Sequence, residues 1–194
     1  MAFDLRGALR SLKPQRRTAR SDRRPDSALS WAGDEPPVGG ALLLDTSVYL
    51  DVLKGRTPET VDDLLTYRLC HHSAVCLAEL THVFGRLDPT HKATKSVLKA
   101  IQETIEDIPA HRLHSPDATS WGRAGMLAGV LFRLSHLPKG EGHERRFLND
   151  ALIFQQAGML GAAVLTGNIK DFDHLNQLVP SVRVIFYRPI AGLR

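Results

Sequence analysis

The feature that most narrows the possible folds is an unbroken apolar run, Ala41-Leu42-Leu43-Leu44, that ends on Asp45 and continues as Thr46-Ser47. A short apolar run of this kind reads as a buried strand. A second one, residues 162–166, ends on Thr166 and leads into Gly167, Asn168 and Asp171. Further strands are expected at 71–76, 108–114 and 182–187. Between them lie segments with helical spacing: 48–54, 57–69, 77–87, 89–107, 115–134, 145–160 and 171–178. Thr57-Pro58-Glu59 opens its helix with a hydroxyl cap and a proline at the first helical position. Strands alternating with helices imply an α/β fold with a mainly parallel central sheet, covered on both faces. In such sheets binding sites lie beyond the carboxyl ends of the strands, which is where Asp45 falls.

With 194 residues, 43% of them hydrophobic, the chain can bury the core of one domain and carry an appendage. No apolar run approaches the roughly 18 residues of a membrane span. The start, MAFDLRGALRSLKPQRR, lacks the apolar stretch of a secretory signal. Two cysteines, Cys70 and Cys76, cannot frame a disulfide scaffold. A reducing, cytoplasmic setting without a membrane part is expected. Residues 1–24 hold eight Arg/Lys against two Asp, a local +6, so the rest of the +4 chain sums to about −2. Residues 1–40, rich in Arg, Pro, Gly and Ser and ending in DEPPVGG, read as a basic, mostly disordered arm and linker, with a compact domain over 41–190. A short helix near the start could form on binding. The arginines could grip phosphates or be a solvated tail.

Three more segments place acids near apolar surfaces. In NDALIFQQAG, Asp150 shares a helical face with Ile153, Phe154 and Ala157. A buried carboxylate there needs a cation, either a metal or the nearby Arg145 or Arg146. In CLAELTHVF, Glu79 borders a stripe of Cys76, Leu80, Val83, Phe84 and Leu87, where a helix dipole alone could also favour an acid. In AAVLTGNIKDFDHL, Thr166, Asn168 and Asp171 suit a turn and helix cap as well as a site, and Asp173 follows. Carboxylates gathered in one cleft repel each other unless a cation sits between them, and hard Mg²⁺ or Mn²⁺ match oxygen ligands.

The stretches LLLDTSVYLDVL, SAVCLAEL, LNDALIFQQA and AAVLTGNIKDFDHL, in this order, resemble those of PIN-domain ribonucleases, in particular VapC-like toxins of type II toxin–antitoxin pairs. The resemblance covers about residues 41–188. It implies a PIN-like α/β/α sandwich and a divalent-metal-dependent endoribonuclease that hydrolyses RNA phosphodiester bonds. It implies Mg²⁺ or Mn²⁺ held by Asp45, Glu79 and Asp150. Asp171 is the choice for the fourth ligand, because Asn168 stands where some PIN nucleases carry an aspartate. Thr46, Thr166 and Asn168 are supporting groups, and Arg145, Arg146 and Lys170 are candidate RNA contacts or ordinary surface charges. The implied partners are an RNA substrate, a cognate antitoxin protein and a second copy of the chain in a homodimer. The loop SHLPKGEGHERRF is longer than a compact member needs.

Other classes fit less well. A haloacid-dehalogenase-type phosphotransferase needs an aspartate two residues after the first, where Ser47 stands. A receiver domain needs paired acids on an earlier strand. Walker A and GxGxxG signatures are absent. His71 and His72, or His111 and His114, lack a third ligand. Gly122, Gly125 and Gly129 permit close helix packing, internal or between copies. A solitary RNA-processing PIN nuclease and an inactive PIN scaffold that binds RNA or a partner are the alternatives.

Overall fold

The computed structural model describes residues 3–19, 22–135, 137–138 and 142–191. In chain order the elements are α1 (Leu5–Leu12), β1 (Leu42–Leu44), α2 (Thr46–Leu53), α3 (Glu59–Tyr67), β2 (Cys70–Ser73), α4 (Ala74–Arg86) and α5 (Thr94–Glu106). There follow β3 (Leu113–His114), α6 (Ala118–Ser135), α7 (His143–Leu160), β4 (Ala163–Thr166), α8 (Ile169–Leu178) and β5 (Val184–Phe186). The strands form one parallel sheet in the order β3-β2-β1-β4-β5. Leu42, Leu43 and Leu44 pair with Ala163, Val164 and Leu165. All three leucines of β1 and every residue of β4 are buried, as runs without alternation require.

The order fixes the place of the site. From β1 the chain builds outward through β2 to β3, then returns to add β4 on the other side of β1. The connections therefore reverse direction between β1 and β4. At such a switch point the loops part and leave a crevice at the carboxyl ends of the two strands.

Helix α7 is the central buttress. Residues from Asp150 to Ala157 are buried without a break, so this stretch of the helix is enclosed all round rather than amphipathic. It lies against α6 and stops at Gly161, whose φ of 64° is the left-handed conformation a C-terminal glycine supplies. Three expected strands are shorter than the sequence suggested, among them that at 182–187, of which Val184–Phe186 forms. The one at 71–76 ends at Ser73, because the Ser73 hydroxyl accepts from the Val75 amide and starts α4 at Ala74. Pro109 and a tight helical turn at Ala110–Arg112 leave only Leu113–His114 of the one at 108–114. The expected loop around 135–144 falls largely on residues outside the described ones. Among the described residues no helix is long and apolar enough to cross a membrane.

The expectation of a mostly disordered arm over 1–40 is corrected for its described residues, which lie across the domain. Asp4 caps α1 by accepting from the Gly7 amide, and Ala8 and Leu12 bury against α6. Arg133 donates to the carbonyls of Pro14 (2.9 Å) and Arg17 (2.7 Å). Arg24 donates through its backbone amide (2.8 Å) and Nε (2.6 Å) to Asp173, a residue with 0% exposure. Leu29 and Ala32 enter the core, and Trp31 forms a parallel bridge to Phe186 that continues the sheet past β5. Glu35 then pairs with Arg68 and Arg183. Few apolar residues serve the segment, but Ala8, Leu12, Leu29 and Ala32 are buried, and Arg24 and Glu35 find partners of opposite charge on the domain.

Candidate active site

Asp45 leaves β1 in an extended conformation and caps α2. Its carboxylate accepts from the Ser47 hydroxyl (2.6 Å) and the Thr166 hydroxyl (2.8 Å), so the ends of β1 and β4 are tied together through it. Thr166 also accepts from the Asn168 amide (2.9 Å), and Ser47 Oγ accepts from the Gly167 amide (3.0 Å). These contacts fold the turn after β4 over the end of β1. Asp45, at 4% exposure, is thus oriented by neutral donors only.

The other acids come from helices that point into the same crevice. Glu79, in the second turn of α4, accepts from the Thr46 hydroxyl and from the Asn149 side-chain amide (2.7 Å). Asp150 on α7 and Asp171 in the first turn of α8 are bridged by one group, the Asn168 amide, at 3.2 and 3.3 Å. Asn168 is also the cap of α8, its side chain accepting from the Asp171 amide. Asp150 and Asp171 are both buried, at 7% and 5% exposure.

Charge is poorly compensated here. Burial pushes the Asp45 carboxyl above its ordinary range, and the Glu79 carboxylate adds to the rise. Burial also raises Asp150 well above that range, followed by repulsion from Asp45, Asp171 and Glu79, while Arg146 opposes it. Arg146, with Nε 3.5 Å from Asp171, is the nearest cation, and it is half exposed. The thiol of Cys76 is pushed up too, by burial and then by Asp45, so it remains a neutral core group that donates to the Leu44 carbonyl.

All four predicted acids therefore meet around the β1–β4 switch point, with Thr46, Thr166 and Asn168 between them. A set of carboxylate oxygens with excess negative charge is the donor chemistry a hard divalent cation prefers. Among the described residues no three acidic, histidine or cysteine side chains already stand close enough together to hold one ion. Asn168 bridges Asp150 and Asp171 and Thr46 holds Glu79, so ligation by three carboxylates requires these contacts to yield.

The three predicted basic residues separate. Arg146 and Lys170 line a cleft of about 160 Å³ that opens beside Asp171 and has Leu131, Phe147 and Leu178 on its apolar side. Arg145 is exposed on another face of α7, in a groove with Gly125, Gly129 and Phe132 of α6. Sequence reasoning missed Asn149. A lone asparagine before Asp150 carries no local signal, since its partner Glu79 is 70 positions away. It also missed the pairing of Arg146 with Asp171, although the charge itself was legible.

No sequence-family description and no curated protein matches this chain. Solved structures do. FitAcB from Neisseria gonorrhoeae is 20% identical, with a TM-score of 0.52, over 75% of this chain and 96% of that one. VapBC2 from Rickettsia felis, bound to a DNA fragment from its promoter, is 18% identical with a TM-score of 0.51, over 76% and 98%. VapBC-5 from Mycobacterium tuberculosis, a member of the VapBC family of toxin–antitoxin systems, is 22% identical with a TM-score of 0.51 over the same shares. The fold is PIN-like. At these identities the likeness concerns the fold, and about a quarter of this chain lies outside it.

Proposed function

We propose that this chain is a divalent-metal-dependent endoribonuclease, with residues 41–190 as the nuclease domain. The observation that carries the reading is the gathering of Asp45, Glu79, Asp150 and Asp171, from four separate elements, at the β1–β4 switch point without matching cations. A fold does not itself imply a function. The site makes the argument, and the likeness to chains of VapBC and FitAcB complexes adds the toxin role, with an antitoxin protein and a second copy of the chain as partners in the cytoplasm.

In this reading the four acids are ligands for Mg²⁺ or Mn²⁺. The cation, when bound, would lower the pKa of a water and share the charge of the scissile phosphate. Thr166 and Ser47 hold the Asp45 carboxylate in place by donating to it. Thr46 and Asn149 do the same for Glu79, and Asn168 keeps Asp150 and Asp171 apart. Arg146 and Lys170, at the cleft beside Asp171, supply positive charge for the flanking phosphates, a part that Arg145 is too far round α7 to share.

The test is cleavage of single-stranded RNA with added Mg²⁺ or Mn²⁺ and with a chelator, for the wild type, Asp45→Ala and Asp150→Ala. The expected result is cleavage by the wild type that the chelator abolishes and that each substitution lowers by at least about 100-fold. Equal cleavage by all three proteins would remove the site. A small DNA-binding protein encoded next to the chain, and binding to it, would support the toxin role.

A further inference from the structure

The described residues of the N-terminal segment carry a cationic face that the site does not use. Helix α1 turns Ala8 and Leu12 onto α6 and leaves Arg6, Arg10 and Lys13 exposed. Arg6 and Arg10, at i and i+4, share one side of the helix, and Lys13 stands just past its end in the left-handed conformation (φ 49°). Arg16 follows, also exposed. Among the described residues none of the four forms an ion pair, and the two acids beside α1, Asp4 and Asp117, each accept from a backbone amide, of Gly7 and Ser120 respectively. Like charges at i, i+4 disfavour a helix unless an external anion relieves them. A solvated tail has no reason to hold such charges in a fixed row.

The row is held in place and leads toward the carboxylates. Arg133 of α6 grips the carbonyls of Pro14 and Arg17, and the Arg17 guanidinium donates to the Leu178 carbonyl (3.1 Å). Leu178 lines the cleft that also contains Lys170, Arg146 and Asp171. Seven residues further on, Arg24 is fixed on buried Asp173, two positions from Asp171. Cations therefore run from α1 along α6 to the mouth of the crevice. Along a helix, residues four apart are about 6 Å apart, close to the spacing of successive phosphates on an extended strand.

We propose that the docked N-terminal segment is an RNA-binding strap, in which Arg6, Arg10, Lys13 and Arg16 take the phosphate backbone of a single strand whose continuation enters the carboxylate crevice. The identity of the polyanion as RNA rests on the nuclease reading; the binding face itself does not. Sequence-independent contact is implied, because phosphates and not base edges meet these side chains.

The experiment measures binding of a fluorescein-labelled single-stranded RNA, in chelator so that nothing is cut, as a function of salt. The full-length wild type is compared with Arg6→Gln/Arg10→Gln/Lys13→Gln. A charge-matched control, Lys92→Gln/Lys95→Gln/Lys99→Gln, removes three exposed cations near and within α5. Glutamine keeps helix propensity, and circular dichroism confirms that each variant is folded. At about 0.7 per phosphate contact on a single strand, the strap variant should lose about 2 from the slope of log K against log salt, and about 100-fold in affinity at low salt. The control should keep the wild-type slope. Equal losses in both triples, or no loss in the strap variant, would overturn the strap. Binding of polyglutamate to the strap as strongly as RNA would also overturn it, in favour of an acidic protein partner. Cleavage is scored separately: a wild type that binds RNA through the strap yet never cuts it would sink the nuclease reading and leave the strap standing.

Discussion

At the scale of single residues, Asp150 is the most telling. It opens the stretch of α7 that is buried without a break to Ala157, and its carboxyl is raised by burial and by three neighbouring acids. Such a residue costs stability unless a cation compensates it. Asp150→Asn should therefore abolish metal-dependent cleavage while making the metal-free protein more stable. Thermal melts in chelator measure this. The sign with pH follows. The unfolded carboxyl titrates near 4, whereas the folded one holds its proton to higher pH, so stability is lost as pH rises through the raised folded value. The advantage of Asp150→Asn over the wild type should grow from about pH 4 upward and level off once the folded carboxyl is ionised. A constant difference across pH would mean that this carboxyl is unperturbed. Thr46→Val, which removes the hydroxyl held by Glu79, should cost about 1 kcal/mol and lower cleavage with little change in RNA affinity. Asp45 and Asp150 were legible in the sequence because an acid inside an apolar pattern is a local anomaly. Asn149 was not, because only the approach of α4 to α7 gives it a partner.

At the scale of elements, the strands and helices were readable where local chemistry and tertiary packing agree. The apolar run of β1, the Asp45 cap of α2 and the glycine that ends α7 are each written in a few neighbouring residues. The end of β2 was misread because Val75 and Cys76 favour a strand, while the Ser73 cap and burial of both residues on α4 decide for a helix. The docking of the N-terminal segment was invisible for a different reason. Its anchors, Arg24 on Asp173 and Trp31 on Phe186, join positions about 150 apart, and no periodicity announces them. Removing Arg24 leaves a fully buried carboxylate with only Gln177 and the Arg24 backbone amide as donors. Arg24→Ala should thus destabilise the protein by about 2 kcal/mol, less than a fully enclosed pair because Arg24 is a third exposed. Urea unfolding measures it, and a loss below about 0.5 kcal/mol would show that Asp173 does not depend on this cation.

For the whole molecule, a cation that binds only the folded crevice must stabilise it. At about 100 times its dissociation constant it contributes about 2.7 kcal/mol. Mg²⁺ or Mn²⁺ should therefore raise the melting temperature of the wild type, more at about pH 8 than at about pH 5, because protons compete for the same carboxylates. Asp45→Ala should lose most of this shift. A divalent ion that leaves the melting temperature unchanged at every pH would count against the site. The global architecture was expected from the alternation of strands and helices, yet the strand order, which puts β4 beside β1, depends on crossings that no local segment encodes.

That order also has a consequence in time. Asp45 is made early, but its hydrogen-bond partner Thr166 comes 121 residues later, and Asp171 later still. The edge of β5 and the α8 acid that receive the N-terminal segment also follow it by about 150 residues. Until α8 is made, a growing chain therefore holds fragments of the crevice and not the whole of it. The four carboxylates can assemble only once α8 has left the ribosome, so until then a nascent copy carries an incomplete set of acids.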